Sequence, residues 1–171
     1  MDLQSLASIA EIVGGIGVLV SLIFLIISIR QNTTSQRALA VDSLTAAITA
    51  INVPAIESPT VGAAVAKAVL DWGSASRDER IIAHYFLFSF FKLSENAWYL
   101  RQSNVLDEGQ WLGWERSIRK YYHSAGIQSV WWPNRRNAYS EAFQQFLSET
   151  QPSDDIGSLA DIFDNVVSGA K

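Results

Sequence analysis

The 171-residue chain has no cysteine, two histidines and few charged residues, which make up 18% of the sequence. The lack of cysteine excludes disulfides, thiolate zinc sites, thiol nucleophiles and cysteine-held iron–sulfur clusters. Neither histidine has a second metal ligand at helical spacing, so we predict no metal and no cofactor. A net charge of −4 also argues against a nucleic-acid partner.

Motifs of the common enzyme classes are missing as well: the sequence has no Walker A loop, no GxSxG and no kinase signature. We therefore predict a non-enzymatic protein without catalytic residues. The alternative is an enzyme whose site leaves no motif, which would need a deep polar pocket around His84 or His123. We expect His84 to be a hydrogen-bonded core residue and His123 to complement the negative end of a helix dipole.

One long hydrophobic run, Ile12 to Ile29, accounts for the positive mean hydropathy of +0.11. It contains no charge, amide or histidine, and as a helix it extends about 27 Å, close to the roughly 30 Å thickness of membrane hydrocarbon. A cleaved signal peptide would need a basic start and a shorter apolar stretch, whereas the charges before the run are Asp2 and Glu11. The run therefore predicts an uncleaved transmembrane helix.

The charges on either side of the run predict its orientation. Arg30 and Arg37 follow it with no acid between them, while the N-terminal side is acidic. Because positive flanks tend to stay in the cytoplasm, we expect the N terminus outside and the C-terminal domain in the cytoplasm.

Small residues recur on one face of this helix at spacings of three, four and seven. In a membrane such residues let a second helix approach closely, although glycine is also simply frequent in membrane helices. The predicted packing face, for an integral membrane partner or a second copy of the chain, consists of Ala10, Gly14, Gly17, Ser21 and Ser28.

The rest of the sequence shows helical patterns and no sustained strand alternation, so we predict an all-α protein. Val41, Leu44, Ile48 and Ile51 continue the helical spacing, and the membrane helix is expected to run on to Asn52. The predicted segments are a transmembrane anchor (1–30), its helical extension (31–52), a cytoplasmic helical domain (53–151) and an acidic C-terminal segment (152–171).

Caps and prolines divide the domain into further helices. Ser76 and Glu79 match a capping box, and Asp107 is a second N-cap candidate. The apolar stretch 81–91 is too short for a second span, so we expect a helix buried at the centre of the domain, with a membrane-interface or partner-facing role as the alternative. The helices predicted from these signals cover 61–72, 77–102, 108–123, 127–132 ending at Pro133, 140–149 and 156–167.

The middle of the chain is rich in tryptophan and positive charge. All six tryptophans lie outside the apolar run, and residues 77–136 contain nine Lys or Arg against six acids. Tryptophans at helical spacing are typical of a core, but Trp and Arg also dominate interfaces, and basic residues attract anionic lipid headgroups. The predicted partner or membrane-surface contact consists of Trp111, Trp114, Arg116, Arg119, Lys120, Trp131 and Trp132.

Two sets of residues carry a resemblance to other proteins. The first set is Glu11-Ile12-Val13-Gly14 with Ile29-Arg30-Gln31-Asn32-Thr33, and the second, looser set is Val105-Leu106-Asp107-Glu108, Trp111, Trp114-Glu115, Gly126, Trp132 and Ser140-Glu141-Ala142-Phe143. Both sets resemble a family of small, uncharacterised bacterial membrane proteins with one span and a helical cytoplasmic domain. Phe24, where the family has tyrosine, and the acidic segment after Pro152 depart from the pattern. The resemblance implies this topology in the bacterial inner membrane, and it implies no activity.

Together these observations predict a non-enzymatic accessory or structural subunit of a larger bacterial membrane complex, such as a respiratory or photosynthetic one. The alternative is a membrane-tethered regulatory or lipid-sensing protein that forms homo-oligomers. The expected partners are integral membrane proteins or further copies of the chain, together with lipid headgroups.

Overall fold

A computed structural model describes residues 3–153 and 156, with side chains given for residue 11 and from residue 13 onward. The described residues contain helices and no strand, which confirms the all-α fold class. The helix predicted over 156–167 lies, apart from Ile156, outside them. The elements are α1 Leu3–Glu57, α2 Pro59–Leu70, α3 Arg77–Gln102, α4 Glu108–Tyr122, a π-helix Ile127–Trp131, α5 Trp132–Arg135, a short 3₁₀ turn Arg136–Ala138 and α6 Glu141–Glu149.

The first helix, α1, contains the described part of the predicted anchor and all of its predicted extension. It continues past Asn52 and includes Pro54 in its last turn. A proline removes one backbone donor, but the carbonyl of Pro54 still accepts from the amide of Ser58 at 3.0 Å. The helix ends at Glu57, five residues beyond the predicted end, because Ser58 before Pro59 is extended, with a φ of −140° and a ψ of 111°.

The described residues form two compact units, which meet between Leu39 and Ala40. In the first unit, α1 carries the only apolar stretch among the described residues that is long enough to cross a membrane, and its side chains are not buried. In the second unit, the remaining part of α1 contributes Leu44 to the core of the domain, with only 3% of its surface exposed.

The second unit is built around α3. The predicted capping box is confirmed: Ser76 Oγ accepts from the amide of Glu79 at 3.2 Å, and the Glu79 carboxylate accepts from the amide of Ser76 at 2.6 Å. Within the apolar stretch, Leu87 and Phe91 are fully buried, but Tyr85 is 68% exposed. The stretch is therefore buried on one side and open on the other, because its neighbours cover only one face of the helix.

The segment after α4 differs from prediction at its proline. Asp107 caps α4 as expected, with its carboxylate accepting from the amide of Gln110 at 2.8 Å. Pro133, expected to end a helix, instead lies in the first turn of α5, which follows directly on the π-helix. The π-helix before it is closed by a bond from the amide of Trp132 to the carbonyl of Ile127.

The core of the second unit is largely aromatic. Phe91 of α3 stacks on Trp131 with ring centroids 5.4 Å apart, and Trp132 stacks on Tyr139 at 5.2 Å. Behind them the backbones of α2 and the π-helix approach closely at Gly126, where an added Cβ would overlap the carbonyl oxygen of Ala68. This packing fixes the π-helix and α5 against α3.

Candidate functional site

A cavity of about 460 Å³ opens between the first half of α3 and the segment formed by the π-helix and α5. Its size lies within the range of small-molecule sites. It combines aromatic side chains with several cationic ones. The lining residues are Trp72, Arg77, Arg80, Ile81, His84, Tyr85, Val130, Trp131, Asn134 and Arg135.

One wall of the cavity is a single face of α3. Arg77, Arg80 and His84 follow one another at spacings of three and four, which places them on the same side of a helix. The capping box starts α3 just before Arg77. Opposite it, the π-helix supplies Trp131 and α5 supplies Arg135.

The charges lining the cavity are all positive among the described residues. Arg77 pairs with Asp78 at 3.9 Å, but both side chains are more than 80% exposed. The attraction between the two charges is therefore weak, because water and salt screen it. Within the described part of the chain, Arg80 and Arg135 have no ion pair. Arg80 is half-buried and Arg135 is exposed, so the cavity presents two unneutralised guanidinium groups and a third that is weakly paired.

His84 lies between these arginines and the aromatic core. The indole N–H of Trp131 donates to His84 Nδ1 at 3.2 Å, which requires a neutral imidazole with its proton on Nε2. Burial, and secondarily the positive charge of Arg135, lowers the pKa of His84 below its usual 6.5. The predicted hydrogen bond at this position is therefore confirmed, but the predicted core location is wrong, because His84 is half-buried and lines the cavity.

Three of the predicted contact residues have little surface left for a partner. Trp111, Trp131 and Trp132 are 9%, 2% and 6% exposed, and all three pack in the aromatic core. For these three residues the structure agrees with the alternative prediction, in which the tryptophans belong to the core. Trp114 differs, because it is half-buried and lines a second, smaller groove with Ile48 and Phe90.

The basic residues of α4 are half-buried, and one of them binds the chain itself. Arg119 donates from Nε to the carbonyl of Gln151 at 2.7 Å and from a terminal nitrogen to the carbonyl of Pro152 at 3.2 Å. It also pairs with Glu115 at 3.6 Å. Arg119 thus holds the segment that follows α6, while Arg116 and Lys120 are half-buried on the same helix.

His123 stabilises the same region of the domain. It is the C-cap residue of α4, and its Nε2 lies 3.0 Å from the hydroxyl of Thr150 at the end of α6. Burial lowers the pKa of His123, with Arg119 adding to the effect. The residue therefore links the ends of α4 and α6.

The predicted small-residue face lies on the first unit. An added Cβ at Gly14 or Gly17 would meet nothing within 4 Å, and the Ser21 hydroxyl donates to the carbonyl of Gly17 at 2.9 Å. Ser28 is exposed, and the side chain of Ala10 is outside the described part of the chain. Among the described residues, the structure leaves this face open.

The arginines of the cavity were not identified from the sequence. A weak signal was present, since positive residues exceed acids between 77 and 136, but Arg80 and Arg135 lie 55 positions apart and only the packing of α5 on α3 brings them together. No group of three metal-ligating side chains occurs among the described residues. The chain matches no known protein family, no curated protein and no solved structure.

Proposed function

We propose that this protein is a single-span protein of the bacterial inner membrane that acts as a non-enzymatic accessory subunit of a larger membrane complex. The observation that carries the proposal is the exposed apolar surface of α1. Between Val13 and Ile29 the large apolar side chains are 45–67% exposed. A continuous apolar surface of this size is typical of a membrane or protein interaction site and is unfavourable in water.

The small-residue face supports a helical partner within the membrane. Lipid tails and apolar side chains are equally hydrophobic, so association inside the bilayer depends on close packing of helix backbones. Gly14 and Gly17 have open space around them, and the hydroxyl of Ser21 is satisfied within its own helix. A second helix can therefore approach the face at Gly14, Gly17 and Ser21 without leaving the Ser21 hydroxyl unpaired.

The chemistry of the cavity favours binding over catalysis. Its ionisable groups are three guanidinium groups, which stay protonated in proteins, the phenol of Tyr85, a class of group that ionises well above neutral pH, and one histidine whose Nδ1 is already occupied by Trp131. Such groups bind and orient a ligand, whereas general acid–base catalysis needs a group that exchanges protons near neutral pH. The C-terminal domain is accordingly proposed to be a binding module.

A matched pair of substitutions tests the proposal. Gly17 lies on the small-residue face, and Gly15 lies about 160° away around the helix at 100° per residue. In native gels of mildly detergent-extracted membranes, the wild-type chain should migrate in an assembly much larger than its 18.9 kDa. Gly17→Ile should release it from the assembly, and Gly15→Ile should not.

The composition of that assembly separates the two functions. An assembly containing other membrane proteins supports the accessory subunit, whereas one built only from copies of this chain supports the regulatory homo-oligomer instead. A wild-type chain that runs only as a monomer contradicts both, as does equal release by Gly15→Ile and Gly17→Ile.

A further inference from the structure

We propose that the cavity lined by Arg77, Arg80, His84 and Arg135 binds a phosphate-bearing ligand whose organic part lies against Trp72 and Tyr85. Every lining residue belongs to the second unit. The inference is therefore independent of whether α1 crosses a membrane and of the complex proposed above.

The charge of the cavity selects an anion. Three guanidinium groups line it, and the part of the chain that the structure describes provides no carboxylate in the lining. The protein as a whole is acidic, with a net charge of −4, so a concentration of positive charge in one cavity is a local feature. Like charges close together repel one another, and an anion between them removes that repulsion.

The type of cation favours phosphate over a simple halide. Guanidinium is planar and donates in a fork that matches two oxygens of a phosphate or carboxylate at once. Arg77 and Arg80 approach from α3 and Arg135 from α5, so donors come from two walls of the cavity. A tetrahedral phosphate offers acceptor oxygens in several directions, whereas a carboxylate offers two in one plane.

The neutral state of His84 adds a donor of a different kind. Because Nδ1 accepts from Trp131, the imidazole proton is on Nε2, and this N–H is a donor without a formal charge. Asn134 also lines the cavity, although its side-chain amide nitrogen already donates to the carbonyl of Val130 at 2.7 Å.

The size and aromatic content of the cavity indicate a ligand larger than an inorganic ion. A volume of about 460 Å³ is in the range that holds a small organic molecule. The half-buried Trp72 and the 68% exposed Tyr85 provide apolar surface beside the arginines. A phosphate monoester of a soluble metabolite and the headgroup of an anionic lipid both combine these features.

The experiment uses the full chain in dodecyl maltoside, a detergent without phosphate, and calorimetric titration with two probes. Phenyl phosphate represents a soluble phosphate ester, with phenol as its uncharged match. Dihexanoyl phosphatidic acid represents a lipid headgroup, with dihexanoylglycerol as its match. Saturable binding of phenyl phosphate supports a soluble ligand, and binding of the lipid alone supports a headgroup.

Three arginine substitutions locate the binding. Arg80→Gln and Arg135→Gln should each weaken binding by about tenfold or more, because each removes a charged donor. The affinity of Arg135→Lys should lie between those of the wild type and Arg135→Gln, since lysine keeps the positive charge but loses the forked pair of guanidinium donors. Arg136→Gln is the matched control, because Arg136 is exposed and does not line the cavity.

The proposal is overturned if neither probe binds saturably, if the uncharged matches bind equally well, or if Arg136→Gln weakens binding as much as Arg80→Gln. Circular dichroism of each variant shows whether its helical content is unchanged. If Arg80→Gln loses helix, Arg135→Gln decides the outcome alone, because Arg135 is exposed.

Discussion

At the residue scale, Gly126 is the position where one added methyl group would meet backbone. Its φ of −64° and ψ of −33° are helical, so any residue could adopt this conformation. The constraint is space, because a Cβ would overlap the carbonyl oxygen of Ala68 and lie 2.8 Å from that of Val69. Neither atom can rotate away as a side chain would, so relief requires α2 and the π-helix to separate.

We expect Gly126→Ala to lower the free energy of unfolding of the second unit by about 2–3 kcal/mol, as other overpacked sites do. Gly113→Ala is the control: Gly113 lies within α4 with nothing inside 4 Å of its added Cβ. It should raise stability by about 0.5–1 kcal/mol through helix propensity. Denaturant unfolding of the full chain in detergent, followed by tryptophan fluorescence, measures both. Equal effects of the two substitutions would show that the close approach at Gly126 is relieved easily.

The two histidines determine how stability changes near neutral pH. Burial lowers the pKa of both His84 and His123 from 6.5, so the unfolded chain binds protons that the folded chain does not. The free energy of unfolding should therefore rise as pH increases from the folded pKa values to about 6.5 and level off above, with a slope of at most about 1.4 kcal/mol per pH unit for each histidine.

His84→Asn should flatten that slope, because an amide oxygen near the position of Nδ1 still accepts from Trp131 and does not titrate. His123→Gln should do the same at the contact with Thr150. The measurement is denaturant unfolding at a series of pH values between 4.5 and 8. An unchanged slope in both variants would mean that neither histidine is held neutral by the fold.

At the element scale, a carboxylate from α3 completes the cap of α6. In a capping box, a Glu or Gln at the N3 position of the same helix accepts from the N-cap amide. In α6 the N3 residue is Phe143, and its amide donates to the Ser140 hydroxyl at 3.3 Å. The Ser140 amide donates instead to Glu95 Oε1 at 2.7 Å, so a residue 45 positions away replaces the local partner.

The cation Lys92 completes this arrangement. Its ammonium pairs with Glu95 at 2.9 Å, donates to the carbonyl of Ala138 and lies 4.6 Å from the centre of the Tyr139 ring. Burial raises the pKa of Glu95, but the Ser140 amide and Lys92 outweigh that effect and the net pKa lies below 4.5. The carboxylate is therefore charged at neutral pH and links α6 to α3.

We expect Glu95→Gln to destabilise the domain by about 1–3 kcal/mol, because it leaves a half-buried Lys92 without its anion. Its effect should disappear as pH falls through the folded pKa of Glu95, since the wild-type carboxyl then becomes neutral as well. Glu141→Gln, at an exposed position in the first turn of α6, should change stability by about 0.5 kcal/mol or less. Unfolding of both variants at a series of pH values from 7 downward tests this, and a loss for Glu95→Gln that stays constant over the whole acidic range would contradict it.

At the scale of the whole molecule, local signals in the sequence predicted most of the helices. Of the cavity, they indicated only Trp131, as a contact residue, and His84, as the centre of the alternative pocket. Ser76 and Asp107 could be predicted as caps because a cap depends on residues three positions away. The helix ends predicted from Pro54 and Pro133 are wrong, because a proline breaks a helix only where its missing donor or its ring is not tolerated. Tertiary packing places Arg80 and Arg135 in the same cavity. It also decides which tryptophans lie in the core and which are partly exposed. Neither result can be predicted from a local sequence pattern.

The lack of cysteine permits a direct test of topology, since any introduced cysteine is unique. Acidic residues precede the apolar run and Arg30 and Arg37 follow it, so we expect the N terminus outside and the domain inside. In intact bacterial cells, a membrane-impermeant maleimide should label Gln4→Cys and should leave Ser103→Cys, at the exposed C-cap of α3, unlabelled. Inverted membrane vesicles should give the opposite result.

Two controls make this labelling decisive. Permeabilised cells should label both variants, which shows that each thiol is accessible. Replacing Arg30 and Arg37 together by glutamine should produce labelling from both sides, because the charge difference that sets the orientation is then removed. Labelling of Ser103→Cys in intact cells would reverse the proposed orientation, and release of the chain from membranes by alkaline carbonate would contradict insertion, leaving the apolar surface of α1 to be covered by protein.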